Sequence, residues 1–156
     1  METFVSTLHV LAAAVWVGGA IALTFVAVPY ARSLQGEARA EALRALGRRW
    51  RPLGWSALAL LLASGIGSAE EDGVFNGRTL AGGFGGVLIA KLVLVVALVV
   101  LAAAHDFVLG PRLARQVREG RPQTLRPPLV LVGRASLVLT VAVPVLGVVL
   151  AHLAGE

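Results

Sequence analysis

Five ionisable side chains interrupt long apolar runs in this chain: His9, Lys91, His105, Arg134 and His152. An ionisable group at membrane depth is costly unless it is paired or hydrated, so each is a functional candidate by default. Lys91 is conspicuous, because it is the only lysine beside thirteen arginines and sits inside "GGVLIAKLVLVVALVVLAAAHD". A neutral imidazole offers a nitrogen to a metal or haem iron, whereas lysine and arginine offer charge to an anion. Lys91 and His105 are 14 residues apart, and Arg134 and His152 are 18 apart. At about 100° per residue, each pair falls on nearly one helix face. His9 shares its face with Trp16 in the same way. Each group also has a plainer role open to it. His9 can bond a backbone carbonyl, His105 with Asp106 can mark a water boundary, and His152 can reach the headgroups. Lys91 and Arg134 can snorkel.

The elements that position these groups are four apolar segments, at about 3–31, 52–69, 85–110 and 128–155. About 20 residues cross the hydrocarbon as a helix, so the second is nearly minimal and the others have slack for tilt. The chain is 57% hydrophobic, with a mean hydropathy of +0.81. A water-soluble domain of 156 residues cannot hide that much apolar surface. The expected fold is all-α: an integral membrane four-helix bundle, one domain over 1–156, with short or amphipathic loops. No internal repeat is evident in the sequence.

Charge sets the expected orientation. Residues 32–51 hold six arginines against two glutamates, and residues 106–126 hold five arginines against Asp106 and Glu119. Basic connections stay in the cytoplasm, so both termini are expected outside, in a multi-pass bacterial-type plasma membrane. On that orientation His9, Lys91 and His152 lie at similar depth in the outer half. The basic balance then reports topology and speaks against a nucleic-acid partner. The first connection, "RSLQGEARAEALRALGRRW", carries Leu43, Leu46 and Trp50 as one stripe and reads as an interfacial helix. Pro52 is expected in the first turn of a new helix. The glycine-rich stretch after Glu70 reads as an external cap, and the arginine-rich connection after Gly110 reads as a linker and orientation signal. Gly18, Gly19, Ser64, Gly65, Gly67 and Ser68 permit close helix packing or the approach of a flat cofactor. Without cysteine, thiolate metal sites and cysteine nucleophiles are excluded.

The segments "LHVLAAAVWVGGAIALTFVAVP", "RRWRPLGWSALALLLASGI" and "AKLVLVVALVVLAAAHDFVLGPRL" resemble the copper-resistance protein D domain across nearly the whole chain. The layout is also similar to the four-helix bacterial protoporphyrinogen oxidases, which bind b-type haem. That resemblance implies that His9 and Lys91 match the oxidases' functional histidine and lysine, and that His105 matches a histidine late in helix 3. Where those oxidases open helix 4 with Asn-Glu-Pro, this chain reads "PPLVLVGRAS". Two functions follow. The first is a membrane haem b protein in electron transfer or redox chemistry, with a redox partner or quinone. Its ligands are drawn from His9, His152 and His105, with Lys91 and Arg134 near the propionates. Whether such a protein is a haem-dependent oxidoreductase is left open, and no catalytic residue is assigned. The alternative is copper uptake or resistance, with a copper ion at the same histidines. Softness ranks haem first, because Cu(I) prefers sulfur and the only methionine is Met1. A homo-oligomer is compatible with either.

Overall fold

The structure is a computed structural model that describes residues 2–71 and 83–154. Among these residues every regular element is a helix. The chain divides into two compact units, Met1–Leu80 and Ala81–Glu156, each a helical hairpin. The first hairpin contains α1 (Glu2–Ala22), a π-helical turn (Leu23–Ala27), α2 (Val28–Ser33) and α3 (Gly36–Glu71). The second contains α4 (Gly83–Ala103), a π-helical turn (Ala104–Leu109), α5 (Gly110–Arg118) and α6 (Arg126–Ala154). The stretch expected to cap the outer end lies mostly outside the described residues.

Each π turn stands just before a proline. Proline has no N–H, and its ring crowds the carbonyl four residues earlier. For Pro29 that residue is Phe25, and for Pro111 it is Phe107, both inside the turns. Widening the helix by one residue moves the crowded carbonyl aside and lets the chain continue without a break. The Val28 N–H then bonds the Leu23 carbonyl, and the Gly110 N–H bonds the His105 carbonyl. The third apolar segment therefore does not end at Gly110. Helix continues to Arg118, so the expected linker is largely α5.

A second departure concerns Pro52. It lies inside α3, a single helix of 36 residues, and not in the first turn of a new one. The interfacial helix foreseen in the first connection exists, but it runs unbroken into the second apolar segment. Glu41 bonds Arg44 at 2.9 Å and Arg48 at 2.8 Å along its exposed face. These two guanidiniums, Arg48 foremost, hold the Glu41 carboxyl below the usual carboxylate range.

Both hairpins reverse at a glycine with positive φ, Gly36 at 54° and Gly120 at 64°, where a β-carbon would be strained. At the second corner Gly120 and Arg121 donate to the carbonyls of Val117 and Gln116, at 3.3 and 2.9 Å. This closes α5 as a Schellman cap. The Gln116 amide then donates to Thr124 at 3.0 Å, tying the corner to the start of α6.

Few side chains are buried, and they lie inside the hairpins. Among the described residues these are Ala12, Trp16, Ala31, Ala57, Leu58 and Ser64 in the first, and Leu98, Ala102 and Thr140 in the second. Trp50 is the main wedge in the first hairpin, with its ring 6.2 Å from that of Trp16. A β-carbon at Gly19 would overlap the Trp50 ring, so Gly19 serves helix packing and not a flat cofactor. Many large apolar residues face outward, among them Phe4, Phe25, Leu131 and Val148. Among the described residues three helical stretches are long and apolar enough to cross a bilayer: Thr3–Ser33, Gly85–Arg118 and Arg126–Val149. Their apolar windows are only 6–11% buried, as expected of helices solvated by lipid.

Candidate functional site

In the first hairpin the face of α1 that meets α3 runs through His9, Ala12, Trp16 and Gly19, at spacings of three and four. His9 is thereby turned toward its partner helix. Its Nδ1 lies 2.7 Å from the Ser64 hydroxyl. Ser64 is buried and donates its own proton to the Leu60 carbonyl at 2.6 Å, as mid-helix serines commonly do. With that proton committed, the Ser64 oxygen is placed to accept from His9 Nδ1–H, and in a neutral imidazole that pairing assigns the lone pair to Nε2, the form a metal ligand takes. Gly65 packs beside the ring, where a β-carbon would stand 3.8 Å from His9 Cε1, in ordinary van der Waals contact. The sequence marked Ser64 only as a small residue. Its role as the group orienting His9 depends on a contact across 55 positions, which periodicity does not reveal.

In the second hairpin Lys91 and His105 both face α6, as their helical phase implies. Lys91 Nζ lies 3.6 Å from where a β-carbon of Gly147 would stand. The His105 ring lies against Gly133, with Nε2 3.5 Å from the corresponding point. His105 Nδ1 lies 2.9 Å from the Asp106 carboxylate, and both side chains are partly exposed. The π turn carries both residues, placing this pair near the arginine-rich end of the hairpin. Arg134 is exposed, one residue beyond Gly133, and His152 is exposed near the end of α6.

These positions separate the candidates. Lys91 and His105 are 14 helical residues apart, about 21 Å along the axis, so no small ligand touches both. His105 is level with Gly133, 19 residues before His152, so the two histidines cannot hold one ion together. Among the described residues no three of His, Asp and Glu gather as a closed metal site. What the structure assembles is narrower: an oriented imidazole in one hairpin, and in the other a lysine near one end and a His–Asp pair near the opposite end.

Comparison with known proteins adds one family. No curated protein matches the chain. No solved structure matches it either. The family described as Copper resistance protein D matches residues 44–150, which includes most of α3 and nearly all of the second hairpin. The family description favours the copper alternative over haem. Since the match extends over more than half of its length, the chain belongs to the copper resistance protein D family of membrane proteins.

Proposed function

We propose that this protein handles copper at the membrane, with a copper ion as its cargo and His9 as the side chain that contacts it. The observation that carries this reading is the 2.7 Å His9–Ser64 contact, which orients the imidazole within an apolar hairpin. Imidazole is a good copper ligand, and second-shell hydrogen bonding of this kind fixes ring orientation and raises basicity. A closed site is not required of a cargo path, because an ion that must leave is served by weak and partial ligation.

On this reading the arginine-rich hairpin corners lie in the cytoplasm, with His9 in the outer half of the membrane and His105–Asp106 at the inner end. In this arrangement copper meets His9 from outside. His105 and His152 are secondary positions on the same reading, with His105–Asp106 suited to proton or cation exchange at the inner boundary, and Arg134 offers no ligand to a cation.

Cells expressing the protein and exposed to copper are expected to differ in cell-associated copper from cells carrying an empty vector. His9→Ala is expected to abolish the difference at equal protein level. Equal copper in parent and vector cells overturns the proposal.

A further inference from the structure

The two hairpins share one numerical offset at a series of positions. Adding 82 to a residue number in the first lands on its counterpart in the second. His9 lands on Lys91 and Gly65 on Gly147. The first pair meet through Gly65 and His9 Cε1, the second through Gly147 and Lys91 Nζ, at 3.8 and 3.6 Å from the glycines' β-positions. Leu23 lands on His105 and Val28 on Gly110, so the π-turn hydrogen bond recurs between the same two places. Phe25, Val26 and Pro29 land on Phe107, Val108 and Pro111, which are identical residues. Two buried positions, Trp16 and Leu58, land on buried Leu98 and Thr140. An unrelated pair of hairpins has no reason to share one offset across a π turn, a proline, a glycine contact and two buried positions.

We infer that the chain is a tandem repeat of one helical hairpin, and that Lys91 occupies in the second copy the ligand position that His9 fills in the first. The repeat itself is independent of any ligand; the ligand statement rests on the copper reading above. Lysine in its ordinary protonated form has three donors and no lone pair, so it cannot ligate a cation. Leu146 stands where Ser64 would be, so the hydroxyl that orients the imidazole is missing as well. Both changes act in one direction. The place in the second hairpin that corresponds to His9 is thereby closed to copper. Lys91 is thus a specificity-determining residue that puts no ligand lone pair at a place built to the same plan.

The test uses the full chain, whose lack of cysteine makes engineered pairs unambiguous. Val5 Cγ1 lies 3.8 Å from the β-position of Gly67, so Val5→Cys with Gly67→Cys is expected to form a disulfide. The repeat requires the counterpart pair, Val87→Cys with Val149→Cys, to cross-link under the same oxidation. Cross-linking of the first pair alone refutes the repeat. For the ligand, Lys91→His with Leu146→Ser is dialysed against copper in detergent, beside the parent, Leu146→Ser alone and His9→Ala. One copper more per chain than the parent is expected for the double variant, with no gain for Leu146→Ser. A parent that binds copper through His9, with no gain in a folded double variant, overturns the assignment of Lys91. A parent without His9-dependent copper instead overturns the copper reading and the ligand statement with it, while the disulfides still decide the repeat.

Discussion

Removing the Ser64 hydroxyl tests how His9 is held. In Ser64→Ala the Leu60 carbonyl keeps its place in the α3 ladder, but His9 Nδ1–H loses its 2.7 Å acceptor. A buried donor left without a partner costs roughly 1–3 kcal/mol. Imidazole has a cheaper escape, which is to move its proton to Nε2 or to rotate. Either one removes the ligand lone pair from its set direction. The loss of stability is therefore expected near the lower bound, about 1 kcal/mol. The loss of copper affinity is larger, roughly 10- to 100-fold, as for other residues that orient metal-bound histidines. Equilibrium dialysis against copper reads the affinity, and thermal unfolding followed by circular dichroism reads the fold. Ser64→Thr retains a hydroxyl that can bond the same carbonyl, so it is expected to keep most of the binding. Copper affinity unchanged in a folded Ser64→Ala protein refutes the orienting role.

Gly19→Val is expected to destabilise the first hairpin by about 1–3 kcal/mol, because its β-carbon meets the Trp50 ring. Gly18→Val, with open space beside it, is the tolerated control in the same melting experiment. A reporter fused after Glu156 is expected on the outer side of the membrane and one inserted at Gln35 on the inner side, as protease accessibility would show. Because the folded Glu41 carboxyl titrates lower than its unfolded counterpart, its small contribution is fully present above the usual carboxylate pKa. That contribution fades as pH falls through the lowered value, and a Glu41→Gln variant should lose this acid dependence in melts at low salt.

The apolar runs, the amphipathic start of α3 and the shared face of Lys91 and His105 were legible in the sequence, because each follows from helical period alone. The continuation past Pro52 and Gly110 was not. Arginine and proline look like helix ends, but a helix leaving the hydrocarbon keeps its backbone bonds while its arginines enter water. The π turns depend on how a proline's crowded carbonyl is relieved, which no local propensity encodes. Trp50 over Gly19 and Ser64 beneath His9 are contacts between distant positions, visible only once α3 folds back on α1. The repeat is faint in the sequence for another reason. Lipid accepts any apolar side chain, so the outward positions of the two hairpins differ freely, and the common plan survives in only a few residues and in the backbone.

The central claim is that His9 is a copper ligand, and purified protein decides it most directly. After dialysis against copper, metal content by elemental analysis is read beside the oxidised and dithionite-reduced absorption spectra of the parent and His9→Ala. The account predicts copper in the parent, less in the variant, and no Soret band in either. A parent with a haem spectrum that shifts on loss of His9, or copper content indifferent to His9, would contradict it.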